Sequence, residues 1–208
     1  MLLLELLDKF LNLRAKKQFL KNVTYNGNIK TLEILRHAKV RSFRGSTPQD
    51  IVIGEGFRFF GGNIISQNGG KITIGENVQF GFNCIVGAAN SITIGNYTIF
   101  ADNITIMDNN NHPVNPLDRA ILYRTDRKSE YRGWKYSDSR PIVIGNNVWC
   151  GTNARINKGV TIGDGAVIAA NTVVVKDVPA NSICAGNPGK IVKTGIDQLH
   201  RLIPDDIL

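Results

Sequence analysis

The sequence predicts an all-β solenoid, a parallel β-helix whose triangular coils are built from short strands. The main observation is a six-residue period that runs unbroken from Ile144 to Pro179. The first position of each hexad is apolar, and the fifth is small or β-branched. These positions are Ile144, Cys150, Ile156, Ile162, Ile168 and Val174, then Val148, Ala154, Val160, Ala166, Thr172 and Val178. A six-residue period is typical of parallel β-helices, whereas a helical stripe with 3.6 residues per turn would drift off it within two repeats.

A second observation is a phrase that marks the start of successive coils. An isoleucine, a glycine and then an acidic or amide residue recur at Ile53, Ile74, Ile94, Ile144 and Ile162. The last interval, from Ile144 to Ile162, spans three hexads, which predicts one triangular coil with three strands. The earlier intervals are slightly longer and predict two or three extra residues at a corner. Stacked coils should lie about 4.8 Å apart, the ordinary spacing between strands.

The third observation is a long interruption of the repeat. The interval from Ile94 to Ile144 is far longer than one coil of three hexads, so the excess predicts an insertion near Asp108–Arg140. Insertions in a solenoid leave as loops on one face, often the binding face. A loop of this length within a compact repeat is more often functional than idle.

The two ends of the chain do not follow the repeat. Residues 2–21 have the apolar spacing of a helix, which we expect to pack on its own protein or on a sister subunit rather than on a membrane. The predicted organisation is a helical segment with an irregular first coil over 1–45, a catalytic β-helix over 46–190 with a loop inserted at 108–140, and an extension over 191–208.

The net charge of +8 is concentrated in two regions. Residues 1–50 carry ten Lys and Arg against four Asp and Glu, and residues 107–141 carry seven against five. Such basic regions favour an acidic substrate, a phosphate-bearing cofactor or an anionic membrane surface, although a solvated basic face explains them equally well. No motif supports nucleic-acid binding.

Two further features indicate a cytoplasmic protein. The leucine-rich N-terminus carries Glu5 and Asp8 and lacks a basic leader, so no secretory signal is expected. The three cysteines are too scattered for a disulfide framework or a zinc cluster. Cys84 and Cys150 fall at fifth and first hexad positions, where we expect them to fill the core as free thiols.

The C-terminal phrases resemble those of the hexapeptide-repeat acyltransferases, in particular the branch that acetylates galactosides, maltose and capsular or lipopolysaccharide sugars. The phrases are Ile-Gly-Asn-Asn-Val-Trp, Gly-Val-Thr-Ile-Gly-Asp-Gly-Ala-Val-Ile-Ala-Ala, Lys-Asp-Val-Pro and Ala-Gly-Asn-Pro. The resemblance covers about residues 51–193. It implies a left-handed β-helix, an acetyl-CoA co-substrate, no metal, and a homotrimer with active sites between subunits.

The inserted loop carries the candidate catalytic base, His112. Transfer of an acetyl group to a hydroxyl needs a base near neutral pH, a task that suits histidine. His112 lies at the junction of coil and loop. An ordinary loop histidine is the alternative, but the resemblance implies a catalytic base in such a His-Pro step. Asp108, four residues upstream, is a candidate to orient the imidazole, although a backbone carbonyl would serve as well.

Two residues are candidates for binding the acceptor. Trp134 lies among basic residues of the insertion, and similar capsular sialic-acid O-acetyltransferases use a loop tryptophan beside the catalytic histidine. Its ring could stack on a sugar, or could instead fix the loop to the solenoid. Asn83 lies near the position where relatives keep an acceptor-binding asparagine, although the best alignment places Gly81 there.

The resemblance also implies a groove for acetyl-CoA along the C-terminal coils. Carried over by position, Trp149, Gly151 and Thr152 would line the pantetheine end, and the small Ala169 and Ala170 would leave backbone groups accessible. The two basic residues expected near the nucleotide phosphates are Lys176 and Lys190, unless they form a solvated rim.

The predicted function is therefore acetyl-CoA-dependent O-acetylation of a sugar hydroxyl, by direct transfer, on a capsular or cell-surface polysaccharide or its precursor. No paired nucleophile stands beside His112, which agrees with direct transfer. The alternatives are N-acetylation of an amino sugar and a non-catalytic β-helical scaffold. A zinc carbonic anhydrase needs converging histidines, whereas His37, His112 and His200 are far apart in sequence.

Overall fold

The computed structural model describes residues 2–203. Within them a helix, α1 (Leu2–Leu20), precedes the strands, and a second helix, α2 (Pro116–Arg124), lies in the insertion. The strands in chain order are β1 Thr24–Asn26, β2 Glu33–Phe43, β3 Ile51–Gly54, β4 Arg58–Gln67, β5 Lys71–Ile74, β6 Gln79–Phe80, β7 Cys84–Ala88, β8 Ser91–Ile94, β9 Ile99–Phe100, β10 Thr105–Met107, β11 Ile142–Ile144, β12 Trp149–Cys150, β13 Arg155–Asn157, β14 Thr161–Ile162, β15 Val167–Ile168, β16 Val173–Val174, β17 Ser182–Ala185 and β18 Lys190–Thr194.

The strands stack in three parallel walls. The first wall is β1, β3, β5, β8, β11 and β14. The second wall is the start of β4 followed by β6, β9, β12, β15 and β17, and the third wall is the rest of β4 followed by β7, β10, β13 and β16. The long strand β4 runs through both, so these two walls form one continuous sheet. Each coil contributes one strand to each wall, as the hexads predict.

The strand register confirms the coil length and locates the insertion. Ile144 pairs with Ile162, three hexads later, and also with Ile94 on the far side of the insertion. Strand β10 ends at Met107 and β11 begins at Ile142, so the insertion occupies 108–141, one residue beyond the predicted range. It returns to the stack through an antiparallel bridge between Asn109 and Ser139.

The core follows the hexad pattern. All twelve first and fifth positions between 144 and 178 are buried, with at most 3% of any of them exposed. Cys84 and Cys150 are fully buried, which confirms their place in the core. Burial raises the pKa of the Cys84 thiol to about 11 and also raises that of Cys150.

The recurring glycine of the coil phrase has a steric cause. A Cβ built on Gly145 would lie 2.2 Å from Oδ1 of Asp164 in the next coil. That oxygen accepts a hydrogen bond from the backbone N–H of Asn146 at 2.7 Å. Glycine therefore leaves room for a side chain that connects successive coils.

The N-terminal segment covers one end of the stack. β1 pairs with β3, and β2 pairs with β4 along most of its length. Phe19 of α1 is buried and stacks on Phe57 at 5.9 Å between ring centroids. The first half of α1 keeps an apolar surface exposed on this chain, formed by Leu4, Leu6, Leu7, Phe10 and Leu13.

The C-terminal segment begins with β18, which turns back antiparallel to β17, and continues into a short 3-10 helix, Ile196–Gln198. The last five residues of the predicted extension, 204–208, lie outside the described residues. No helix found among residues 2–203 combines the length and the apolar character required to cross a bilayer.

Candidate active site

A pocket of about 700 Å³ lies where the third wall meets the inserted loop. It is called the His112 pocket below. Its lining residues are Met107, Asn109, Asn110, His112, Pro113, Val114, Arg119, Arg140, Arg155, Asn157, Lys158 and Val175. The imidazole of His112 is exposed, and within residues 2–203 the structure gives it no hydrogen bond. A histidine placed in this way can take a proton from a bound hydroxyl.

Asp108 fixes the base of the loop that carries His112. Its side chain is fully buried and accepts hydrogen bonds from the backbone N–H groups of Ala89 and Asn90, both at 2.8 Å. The side-chain amide of Asn109 donates a third hydrogen bond to this carboxylate at 3.0 Å. Burial raises the pKa of Asp108, while these hydrogen bonds act in the opposite direction. The carboxylate thus connects the loop to the preceding coil, and its orienting role toward His112 stays a prediction.

The residues after Asp108 shape the turn that presents His112. Asn109 accepts a hydrogen bond from the backbone N–H of Asn111 at 2.8 Å, and the N–H of Asn110 donates to Ser137 at 2.9 Å. Asn111 has a positive φ of 64°, which asparagine tolerates better than most residues. The run of asparagines before His112 is thereby explained as the local chemistry of a tight turn.

Trp134 lies against the third wall instead of in the His112 pocket. It is half-buried, and its backbone N–H donates to Oε1 of Gln67 at 3.0 Å. A Cβ built on Gly87 would lie 2.9 Å from Cη2 of the indole, so glycine is what allows the ring to approach. These contacts support fixation of the loop, and sugar stacking by Trp134 stays a prediction.

Four of the seven residues predicted to bind the donor gather at the corner between the second and third walls. This Gly151 corner comprises Gly151, Thr152, Ala169 and Ala170. The N–H of Gly151 donates to the carbonyl of Ile168 at 2.8 Å, which places Gly151 directly beneath Ala169. Ala170 is exposed and Ala169 half-buried, so the backbone there can be reached from outside.

The other three residues predicted to bind the donor are Trp149, Lys190 and Lys176. Two of them lie beside that corner and one lies at another edge. Trp149 precedes it on the second wall with 56% of its surface exposed, and Lys190 pairs with Ala185, next to the coil above. Lys176 follows β16, on the opposite edge of the third wall. The register of β13 with β16 places Lys176 one coil above Lys158 of the His112 pocket. The two lysines predicted to serve one nucleotide thus lie on different edges of the chain.

Asn83 lies on the same edge as the Gly151 corner. It adopts a positive φ of 56° immediately before β7, as Asn103, Asn153 and Asn171 do before β10, β13 and β16. These asparagines form one corner ladder, with coils about 4.8 Å apart. Asn83 and His112 therefore do not meet within one chain.

Four cations that the sequence did not single out line the His112 pocket: Arg119, Arg140, Arg155 and Lys158. Arg155 occupies the sixth hexad position, directly after the buried Ala154, so the period alone places its side chain outward. Arg119 and Arg140 belong to the insertion, whose folding the repeat does not specify. The six-residue period could have predicted that Arg155 and Lys158 face outward, but it could not have predicted the pocket that they help to form.

Two segments of the chain are similar to hexapeptide-repeat families of the transferase type. Residues 141–176 match the bacterial transferase hexapeptide family (six repeats), and residues 71–99 match the hexapeptide repeat of succinyl-transferase. These segments are the regular coils on either side of the insertion.

Among curated proteins, the galactoside O-acetyltransferase of Escherichia coli (strain K12) is 39% identical over 125 residues, which are 60% of this chain and 55% of that protein. The chain spans about half the length of the curated relatives it matches. The structure of NeuO, a polySia-specific acetyltransferase, is 26% identical with a TM-score of 0.56, covering 83% of this chain and 70% of NeuO. The chain is thus similar, over about 60% of its length, to a sugar O-acetyltransferase.

The fold also resembles that of AntD from Bacillus cereus, an N-acyltransferase solved with coenzyme A and dTDP-4-amino-4,6-dideoxyglucose. The TM-score is 0.63, and the match covers 83% of this chain and 84% of AntD at 19% identity. At that identity the similarity concerns the fold alone.

Proposed function

We propose that this chain is an acetyl-CoA-dependent O-acetyltransferase that acetylates a sugar hydroxyl, with His112 as general base. The observation that carries the proposal is an exposed histidine on a constrained turn, inside a pocket at the edge of a hexapeptide-repeat β-helix. The likeness to galactoside O-acetyltransferase and to NeuO supports a sugar acceptor. A capsular or cell-surface polysaccharide, or its precursor, is the acceptor class proposed.

The chemistry needs one proton carrier and no covalent enzyme intermediate. His112 removes the proton of the acceptor hydroxyl as its oxygen attacks the thioester carbonyl carbon. The new C–O bond forms, the C–S bond breaks, and the departing thiolate takes the proton from the imidazolium. The cysteines are not candidates for a nucleophile, since Cys84, Cys150 and Cys184 are buried and burial raises the pKa of each thiol.

The Gly151 corner fits the neutral pantetheine arm of the donor. Small side chains at Ala169 and Ala170 leave backbone N–H and C=O groups that an amide-containing chain can bond. Trp149 offers an exposed ring on the same side, and Lys190 offers a charge for a phosphate. Thr152 would complete this donor surface, while Lys176 would act from the edge that holds His112.

We propose that the β-helix is left-handed, as in the similar acyltransferases, and that three chains form a homotrimer, because one chain does not bring its two half-sites together. The Gly151 corner and the His112 pocket lie at opposite edges of the third wall, about five residues apart along a strand, or about 17 Å. The second wall carries the stacked and exposed Ile99 and Trp149, as expected of a subunit contact. A neighbouring subunit would place its Gly151 corner, and Asn83 on the same edge, opposite His112.

Substitution of the base tests the mechanism directly. His112→Ala should lower kcat about 10²–10⁴-fold, the usual contribution of general-base catalysis. The exposed His200→Ala is the matched control and should keep full activity. A His112→Ala enzyme with unchanged kcat would remove the assignment.

Mixed trimers test the shared site. The His112→Ala trimer and the Ala170→Trp trimer should each be inactive, because the first lacks the base and the second has its Gly151 corner blocked. If the two half-sites come from different subunits, co-refolding the variants should restore a fraction of the activity. No recovery in demonstrably mixed trimers would place both half-sites on one chain.

The alternative is N-acetylation of an amino sugar, which the likeness in fold to an N-acyltransferase keeps open. The product distinguishes the two, since mild alkali removes an O-acetyl ester and leaves an N-acetyl amide. A non-catalytic scaffold is the remaining alternative, and calorimetry with acetyl-CoA would show no binding in that case.

A further inference from the structure

The His112 pocket is strongly cationic. Arg119 comes from α2, Arg140 from the end of the insertion, and Arg155 and Lys158 from β13 and the residue after it. Among the described residues that line the pocket, none is Asp or Glu. Two separate parts of the chain, the loop and the next coil, thus direct positive charge at the same space. Charge concentrated in a concave site attracts an anionic ligand.

The hydrogen bonds of these cations show which of them can bind a ligand. Asp138 at the rim pairs with Lys158 and lies 3.9 Å from Arg140, so this single carboxylate serves two cations. Arg119 donates to the carbonyl of Pro113 at 3.1 Å and so supports the turn that holds His112.

Arg155 is the cation most available to a ligand. Its Nε donates to Oδ1 of Asn157 at 3.0 Å, which fixes the plane of the guanidinium. Within residues 2–203 the structure gives its two terminal amino groups no acceptor. A planar, fixed guanidinium is suited to bidentate bonds with a carboxylate or phosphate.

We propose that Arg155, together with Arg140 of the same pocket, binds an anionic group on the acceptor sugar and thereby directs the reacting hydroxyl toward His112. The inference rests on the proposed function and names its acceptor class, a sugar that carries a carboxylate or a phosphate. The transferred acetyl group is attached to the neutral pantetheine arm, so the donor brings no charge of its own to the reacting carbon. The charges that share a pocket with the base therefore face the acceptor.

Binding of matched sugars to the full chain tests this assignment. The probes are the methyl glycosides of glucuronic acid and sialic acid, each beside its uncharged methyl ester, and glucose 1-phosphate. Calorimetry should show at least one acid or the phosphate bound about tenfold more tightly than the esters, as expected for a charge-assisted hydrogen bond. The preference should weaken with added salt. A preference confined to glucose 1-phosphate would identify the anion as a phosphate.

Variants then locate the anion. Arg155→Gln should remove most of the preference for the charged sugar, and Arg155→Lys should restore part of it because the charge returns without the bidentate fork. The control is Arg127→Gln, an equal charge change at an exposed arginine of the insertion that lies outside the pocket, which should leave the preference intact. Because Arg155 is exposed, the substitution should leave the melting temperature unchanged.

Two outcomes would overturn the inference. One is binding of the esters as tight as that of both acids and of glucose 1-phosphate, or no binding of any probe. The other is an Arg155→Gln protein that loses affinity for acetyl-CoA while its preference among sugars is unchanged, since the arginine would then serve the donor. Acetyl-CoA binding by the wild type, measured on the same preparation, separates these results from failure of the proposed function itself.

Discussion

The regular coils at 142–179 and the insertion at 108–141 are stabilised in different ways. In the coils, each hexad buries the same two positions and bonds its backbone to the coil above, as from Gly145 to Ile162 at 2.8 Å. In the insertion, α2 buries none of its residues, and side chains make many of the connections. Arg132, for example, donates to the carbonyl of Thr125 at 2.8 Å and also to that of Tyr123.

This difference separates stability from chemistry. A buried coil position recurs every three hexads, so a reactive side chain at such a position would break the pattern that holds the stack together. The insertion has no such constraint and presents His112, and an outward-facing coil residue such as Arg155 can add charge to the pocket without disturbing the core. Substitutions of buried coil residues should therefore lower the free energy of unfolding, and substitutions in the pocket should chiefly lower activity.

The largest effect on stability is expected in the coils. Ile156 is fully buried and is paired with Ile106 below and Val174 above. Ile156→Ala should lower the free energy of unfolding by about 2–5 kcal/mol through lost burial and a cavity. Urea denaturation of the purified protein measures this change. The exposed Val143→Ala in the same coil is the control and should cost far less, and an equal loss at both positions would show that burial is not what stabilises the coils.

A smaller effect is expected at the base of the loop. Asp108→Ala removes a fully buried, charged acceptor from the N–H groups of Ala89 and Asn90, which should cost about 1–3 kcal/mol. Asp108→Asn keeps one acceptor oxygen and should cost less. Because the loop is attached there, the alanine variant should also lose acetyl transfer. Full activity in that variant would mean that other contacts suffice to position His112.

The pH dependence of stability gives a second test at Asp108. Burial raises its pKa in the folded protein, so the folded state holds this proton more tightly than the unfolded chain does. The resulting stabilisation is full below the ordinary carboxyl pKa of about 3.9 and is lost as pH rises through the raised value. Asp108→Asn should remove this contribution. Parallel unfolding curves of the two proteins across that range would contradict the raised pKa.

The sequence predicted the coils because their pattern repeats. Equivalent residues of successive coils, such as Ile144 and Ile162, therefore support the same prediction. It predicted where the insertion begins because the rule stops at Asp108. The structure of the insertion depends on contacts between residues distant in sequence, which the six-residue period does not predict, such as Trp134 with Gly87 and with Gln67. The cationic cluster was not predicted for the same reason, since Arg140 and Arg155 line one pocket only in the folded chain.

The smallest effect is expected at Trp134, where the two predicted roles, fixing the loop and stacking on a sugar, lead to different results. If the indole fixes the loop against Gly87, then Gly87→Ala should be less harmful in a Trp134→Ala background than in the wild type. A Cβ at position 87 would crowd both the indole and Met107, whose Sδ would lie 2.5 Å away, and without the ring the flexible Met107 side chain can move aside. A double-mutant cycle on the free energy of unfolding should show this coupling, about 0.5–3 kcal/mol for residues in contact. If the ring instead stacks on a sugar, the two substitutions should be additive in stability, and Trp134→Ala should raise the KM of the acceptor alone.

Fluorescence gives a second measurement of the role of Trp134. Trp149→Phe leaves Trp134 as the single tryptophan, so its emission can be followed while the acceptor is added. We expect no shift of the emission maximum, because a ring that fixes the loop does not contact the sugar.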